Sequence, residues 1–334
     1  MKRFEELIRR AWYEDKPWIR ALSPLSKLYA YEFDRRKRRE LAHRRPPFFL
    51  PVIVVGNINV GGTGKTPLII DLVSRLERTG RKVGVVSRGY GASPPSPLYR
   101  VEKGGDVQLC GDEPLMIAEA TEAVVVIGED RCAAVQEAIN AGVNIVLSDD
   151  GLQHHALPRH LEIVVIDAVA GLGNGLLLPA GPLRESPERL ATVDFVVCNG
   201  SPETLDDAIP AQVCFQLEPT AWLNVVTGTR VPLDFVQPNG VVDAVAGIGN
   251  PDRFFTTLKS LGFSLKEHAF PDHHMYTPKD FSARSIDQES CVLMTQKDAL
   301  KCRDIAGPNY WALDVEPVFH EAGQKVLMDA ILDL

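Results

Sequence analysis

No stretch of the 334-residue sequence is apolar for long enough to cross a bilayer, and no secretory leader is recognisable, so the chain is not expected to span a membrane. Its six cysteines, Cys110, Cys132, Cys198, Cys214, Cys291 and Cys302, include no C-x-x-C pair. That excludes the common zinc spacings and a disulfide frame, and predicts reduced thiols in a cytosolic setting. Internal repeats and low-complexity tracts are absent as well. What remains has the composition of an ordinary globular protein, 45% hydrophobic and 24% charged, and is long enough for two domains with cores of their own.

The formal charge of -8 hides an asymmetry. Residues 1–46 hold fourteen Lys and Arg against seven Asp and Glu, so this segment is +7 and the remainder -15. Phe4, Leu7, Ile8 and Trp12, then Trp18, Ile19, Leu22, Leu25, Leu28 and Tyr29, recur at helix-like spacings ahead of the cluster Arg35-Arg36-Lys37-Arg38-Arg39. Apolar and aromatic side chains on one face with arginines around them describe a helix lying in a headgroup layer. A helix packed on its own domain with a solvated basic face is the plainer alternative. Nucleic acid is a third, disfavoured by the acidic remainder.

Residues 56–67 read G-N-I-N-V-G-G-T-G-K-T-P. The β-branched run 50–55 before them predicts a buried strand. Leu68, Ile69, Leu72, Val73 and Leu76 after them mark one face of a helix. Strand, glycine-rich turn and helix together make a phosphate-binding loop, with Gly61, Gly62, Thr63 and Gly64 baring backbone N–H groups to a polyphosphate. Lys65 is placed for the β- and γ-phosphates and the Thr66 hydroxyl for Mg²⁺. The usual pattern has glycine where this chain has Asn59. A glycine-rich turn without nucleotide is the weaker reading; the sequence predicts a bound nucleoside triphosphate.

Beyond the loop the pattern alternates. Strands are expected at 83–87, 124–127, 143–147, 161–166 and 195–197, and helices at 115–123 and 130–141. This predicts an α/β fold with a P-loop-type doubly wound parallel sheet and ligands at the carboxyl ends of its strands. The Gly-, Leu- and Pro-rich stretch 171–186 is expected to be a loop over one edge. Segments 222–226 and 230–233 flank Thr227-Gly228-Thr229 and predict a two-stranded β-ribbon. A second α/β unit follows, with strands at 241–246, 291–295 and 310–313 and a helix at 250–261. The expected organisation is an amphipathic helical segment over 1–46, a nucleotide-binding α/β domain over 47–215, a ribbon hinge over 216–236 and a smaller α/β domain over 237–334.

Several polar clusters fall where strands end. Asp149 and Asp150 close the strand at 143–147, where a phosphate-loop enzyme keeps its magnesium-side aspartate. Asp112, in Gly111-Asp112-Glu113-Pro114, reads equally well as a helix cap. His273 follows Asp272 in a loop of the second unit, and the cluster Thr295-Gln296-Lys297-Asp298-Ala299 suits a capped helix start or a phosphate contact.

Taken together and in order, several segments resemble the tetraacyldisaccharide 4′-kinase family, which phosphorylates the 4′ position of the lipid A disaccharide precursor in Gram-negative bacteria. They are residues 56–67, Ser87-Arg88-Gly89-Tyr90-Gly91, residues 111–114, Gly128-Glu129-Asp130-Arg131, residues 148–154, 179–185 and 246–251, Phe270-Pro271-Asp272-His273, and residues 295–299. The family's loop places its glycines as here, so Asn59 is no departure from it. The resemblance implies an ATP- and Mg²⁺-dependent transfer to a lipid acceptor, with an acid–histidine pair falling on Asp112 and His273. On that reading Asp112 acts as general base with His273 orienting it and sharing the proton. Thr66 and one or both of Asp149 and Asp150 hold Mg²⁺, and Lys65 and Arg131 offset charge on the transferring group. Arg88, Arg184 and His154 contact the acceptor or the phosphates. Asp112 and His273 fall in different lobes, so the pair is expected to form on lobe closure. The basic front segment would dock the enzyme peripherally on the anionic cytoplasmic leaflet of the inner membrane, with neither nucleic acid nor an obligate protein as partner. The rival readings are a phosphate-loop switch ATPase, a nucleotide-gated membrane-binding module and a soluble small-molecule kinase.

Overall fold

The computed structural model describes residues 2–237, 240–320 and 322–334, with residues 2–6 as helix backbone. Helix α1 (Lys2–Tyr13), a 3-10 turn (Pro17–Leu22) and α2 (Ser23–Ala42) come first. They cap a loop rather than stand apart. Trp12 Nε1 donates to the Pro179 carbonyl at 3.0 Å, Ser26 Oγ to Leu177 O at 2.8 Å and the Tyr29 hydroxyl to Arg184 O at 3.0 Å. Ala11 and Ile19 are buried, whereas Leu7, Trp18, Leu25 and Leu28 are exposed. The expected apolar stripe is thus divided between a packed and an open face. Phe4 lies outside the described side chains.

The first lobe follows. It comprises β1 (Val52–Gly56), α3 (Lys65–Arg78), β2 (Val83–Ser87), β3 (Leu98–Val101), α4 (Val107–Cys110), α5 (Asp112–Ala120), β4 (Val124–Gly128), α6 (Arg131–Asn140), β5 (Ile145–Asp149), β6 (Leu161–Asp167) and β7 (Phe195–Asn199). The long β8 (Val213–Asn224) and the short β9 (Arg230–Val231) lead into the second lobe. There the chain forms β10 (Val241–Ala246), α7 (Pro251–Ser260), β11 (Ser264–Ala269), α8 (Pro278–Ser282), β12 (Val292–Thr295), α9 (Gln296–Cys302) and β13 (Tyr310–Phe319), and α10 (Gly323–Leu332) closes it.

The described strands form one sheet, in the order β11-β10-β12-β13-β8-β7-β6-β1-β5-β2-β4-β3, with β9 appended to β8. From β7 to β4 every pairing is parallel, and β3 is an antiparallel edge. Both faces of this part are covered, which is why its strands read as unbroken apolar runs. Along β1, Ile53 and Val55 join the layer of α3, α5 and α10, and Val52 and Val54 the layer of α6. Leu68, Leu72 and Leu76 repeat every fourth residue down α3 and are fully buried, each contributing about 1.5–3 kcal/mol.

The doubly wound lobe and the smaller α/β lobe are both present, but the join between them differs from the expected ribbon. The ribbon is reduced to Trp222↔Val231 and Leu223↔Arg230, while β8 pairs along its length with β13, from Phe215↔Phe319 to Asn224↔Trp311. Strand β7 reaches β8 only through Val213 to Phe215, and β12 meets β13 opposite Trp222 to Asn224. Because β8 and β13 are antiparallel, the strands of the two lobes run toward each other, and their carboxyl ends face across the stretch 216–221. At roughly 3.3 Å per residue that gap is about 20 Å wide. The loops that follow the strands of both lobes therefore converge on one cleft.

Candidate active site

The loop between β1 and α3 forms one wall of the cleft. Gly61 and Gly64 have φ of 125° and 85°, a region that favours glycine. A Cβ on Gly61 or Gly62 would meet nothing within 4 Å, so this part of the loop borders open space. Behind it the loop is fastened. Val60 N donates to Pro182 O at 2.8 Å, Asn59 Nδ2 to Gly171 O at 3.3 Å, and Asn199 Nδ2 to Thr63 O at 3.1 Å. Buried Asn59 thus ties the loop to the 171–186 segment, a task glycine could not perform. Lys65 and Thr66 open α3, so a ligand in the loop would also face that helix's N-terminus.

Strand β5 runs two residues further than its apolar pattern suggested, which makes Asp149 its buried last residue. Asp149 Oδ2 accepts from Ser87 Oγ at 3.2 Å, and Oδ1 has no hydrogen-bond partner. Burial, with Glu113 and Asp150 adding to it, pushes its carboxyl up to about 7. Asp150, at a φ of 46°, turns the other way, with Oδ1 3.3 Å from Lys65 Nζ and Oδ2 3.0 Å from Arg184 Nη1. Burial opposes its ionisation, but Lys65 and Arg184 outweigh burial and hold it well below the usual carboxylate range.

The donor set fits a magnesium ion. Asp149 offers a partnerless buried oxygen, and Thr66 and Asp150 stand beside the lysine of the loop. Among the described residues no group of three or more His, Cys, Asp or Glu could enclose a metal by itself. That suits an ion that keeps several waters and takes its remaining ligands from phosphates.

The other wall is built from both lobes, α5 of the first meeting the loop at 272–273 and the start of α9 from the second. His273 Nδ1 lies 3.1 and 3.0 Å from the two carboxylate oxygens of Asp112. Asp112 sits in the first turn of α5 and is only 4% exposed. Burial opposes its ionisation, but the His273 hydrogen bond, Lys297 and Lys301 bring its pKa below the ordinary value. In return the Asp112 hydrogen bond raises His273, against burial and Lys297. The imidazole is set by a left-handed backbone (φ 57°), which costs a non-glycine residue roughly 1–3 kcal/mol, and lies 5.2 Å from the Tyr90 ring.

Lys297 was no more than a possible phosphate contact in the sequence, yet it is the hub of this wall. Its Nζ is 3.2 Å from Asp272 Oδ1, 3.3 Å from Glu113 Oε1, 3.5 Å from His273 Nε2 and 3.7 Å from Asp112 Oδ2. Its position at the start of α9, directly after a buried strand, was the legible signal. Beneath it, buried Asp298 accepts from the Tyr276 hydroxyl at 2.9 Å, from Thr295 Oγ1 at 2.7 Å and from Gly247 N at 3.0 Å, and pairs with Lys301 at 2.9 Å.

The remaining sequence-derived residues separate by position. Arg184 faces the cleft through Asp150, and its backbone N–H donates to Ile58 O at 2.6 Å. Arg88 follows directly after β2 with an exposed side chain, 3.9 Å from Glu129. Arg131 lies behind the site: it is buried and donates to the carbonyls of Gly128 (3.0 Å) and Asp149 (3.2 Å). His154 is half-buried, its carbonyl held by Arg159 and its pKa lowered by burial. Two contacts close the cleft from above. A Cβ on Gly249 would stand 2.9 Å from Gly62 N, and Arg9 of α1 donates to Gly249 O.

The tetraacyldisaccharide-1-P 4′-kinase family matches residues 18–333 of this chain. A tetraacyldisaccharide 4′-kinase of Stutzerimonas stutzeri (strain A1501) is 46% identical over 319 residues, covering 94% of this chain and 92% of that protein. One from Pseudomonas aeruginosa (strain LESB58) is 45% identical over 318 residues, with 94% of each covered. The crystal structure of the "apo" form of LpxK from Aquifex aeolicus in complex with ATP superposes with a TM-score of 0.76 at 27% identity, over 95% of this chain and 99% of that one. On the match over residues 18–333 and these relatives, the chain belongs to the tetraacyldisaccharide-1-P 4′-kinase family and is an ATP-dependent kinase.

Proposed function

We propose that this kinase transfers the γ-phosphoryl group of ATP to the 4′-hydroxyl of a tetraacyldisaccharide 1-phosphate at the cytoplasmic surface of the inner membrane. The observation that carries the reading is the contact between Asp112 and His273, made across the cleft that the nucleotide loop borders. Asp112 is held ionised and is positioned to accept the hydroxyl hydrogen. The 4′-oxygen then bonds to the γ-phosphorus as the bond from that phosphorus to the β,γ-bridging oxygen breaks, and ADP leaves. The hydroxyl proton ends on the Asp112–His273 pair, whose imidazole has the higher proton affinity. A loose transition state asks little of a base early on, so position matters more than basicity. Lys65 and Arg184 carry the positive charge that faces the transferring group, and Arg131 acts from behind by fixing the backbone of Asp149. Magnesium, held through Asp149, Asp150 and Thr66, would neutralise phosphate charge. The ribbon and the β8–β13 pair serve as the hinge about which the lobes part to exchange substrates.

The membrane part of the reading rests on the first 46 residues. Trp18, Leu25 and Leu28 are 45%, 52% and 59% exposed on a segment of net charge +7, and Phe49, just after that segment, is exposed as well. Among the described residues no helix is long and apolar enough to cross a membrane, so the segment would lie on the surface. The test is transfer of label from γ-labelled ATP to a tetraacyldisaccharide 1-phosphate in mixed micelles, with Asp112→Ala as control. Label on the lipid, lost in the variant, supports the reading. Label released only as inorganic phosphate defeats it in favour of a switch ATPase.

A further inference from the structure

Arg253 sits in the first turn of α7, in the second lobe, and its guanidinium reaches the first. Nη1 donates to Asp167 Oδ2 at 2.7 Å and Nη2 to Asn199 Oδ1 at 2.9 Å. Both acceptors end strands, β6 and β7, and both are buried. Asp167 uses its other oxygen on the N–H groups of Val169 (3.0 Å) and Ala170 (2.9 Å), which pins it. Asn199 passes the contact on, giving Nδ2 to the carbonyl of Thr63 in the nucleotide loop at 3.1 Å. A guanidinium has no acceptor and a carbonyl no donor, so these two partners allow the Asn199 amide a single orientation.

We infer that Arg253 is a positioning residue for the nucleotide, acting through Asn199 on the peptide between Thr63 and Gly64. In a trans peptide the C=O and N–H point in opposite directions. Fastening Thr63 O to Asn199 therefore turns the Gly64 N–H the other way, toward the triphosphate. Only glycine fits at position 64: its φ is 85°, and a Cβ there would fall 2.3 Å from Asn199 Nδ2, so the loop and the amide approach closely. Because Arg253 belongs to the lobe whose Gly249 lies against Gly62 N, the relay is complete only with the cleft closed. Closure and nucleotide binding then strengthen each other by the same factor. This deepens the proposed function and rests on its nucleotide part alone.

The test is the Kd of the magnesium complex of AMP-PNP for the full chain without any lipid acceptor, so a failure of the proposed acceptor chemistry leaves the readout untouched. Arg253→Ala is expected to weaken binding about tenfold, the loss of charge-assisted hydrogen bonds. Arg253→Lys recovers part of it, since a single ammonium cannot span both acceptors. Asn199→Ala loses a similar factor, and the double variant loses little more than the worse single, because both break one relay. Wild-type Kd in Arg253→Ala, or losses that multiply in the double variant, would overturn the inference. A lowered melting temperature with Kd unchanged would also overturn it, leaving Arg253 a structural tie only.

Discussion

His273 Nδ1 stands 3.0 Å from Asp112 Oδ2 although 161 positions of chain separate the two residues. Each favours the charged form of the other. The raised His273 contributes stability that is full below about 6.5 and is lost as pH rises through its higher folded value. The lowered Asp112 contributes stability that is present above about 3.9 and is lost as pH falls through its lower folded value. Their coupling should therefore be largest between about pH 4 and 6.5. A double-mutant cycle of Asp112→Asn and His273→Ala, read by urea unfolding, is expected to give a coupling at pH 5.5 that shrinks at pH 8.5. Equal coupling at both would mean that no charge is shared.

Lys297 lies near both members of that pair and depresses the proton affinity of each. Its removal should raise the pKa of whichever group takes the hydroxyl proton. The acid limb of the pH–rate profile is then expected to move to higher pH in Lys297→Met. An acid limb that stays in place would remove Lys297 from the proton chemistry.

Asp149 makes a prediction of opposite sense. With its carboxyl pushed up to about 7, the folded state binds a proton that the unfolded state has released above about 4. Stability of the ligand-free protein should fall as pH rises between those values and level off beyond, a change on the order of a few kcal/mol. Asp149→Asn is expected to remove this slope and melt higher than wild type at pH 8, while losing activity. Matching melting profiles for the two proteins would contradict the assignment.

The strand, glycine-rich loop and helix over 52–78 were legible because they are contiguous, and the loop's shape depends on its own glycines more than on distant partners. The parallel lobe was legible for a related reason, its strands being buried on both faces. Asp112 and His273 were reached through the family resemblance, since the composition around Asp112 fits a helix cap equally well. Three features were hidden. The β8–β13 pair joins residues nearly a hundred positions apart, and nothing local marks it. Arg253 looks like any polar residue in a capped first turn. Arg131 reads as a cleft residue because it starts a helix, but its side chain folds back under β5 to the Asp149 carbonyl.

The exposed apolar residues of the first 46 give a prediction that separates docking from catalysis. Trp18→Ala, Leu25→Ala and Leu28→Ala together should change the melting temperature little, since those side chains are about half exposed. Flotation with vesicles containing anionic lipid should drop severalfold, and activity on detergent-dispersed acceptor should hold within about threefold. Unchanged flotation would return the segment to a packing role.

The most direct test of the account follows the γ-phosphoryl group itself. With saturating ATP and a tetraacyldisaccharide 1-phosphate acceptor, wild-type protein should place the label on the lipid at the 4′ position. His273→Ala should do so about 10²–10⁴-fold more slowly while binding AMP-PNP as tightly as wild type. Near-normal transfer by His273→Ala would contradict the claim that this imidazole, brought across the cleft to Asp112, takes part in the chemistry.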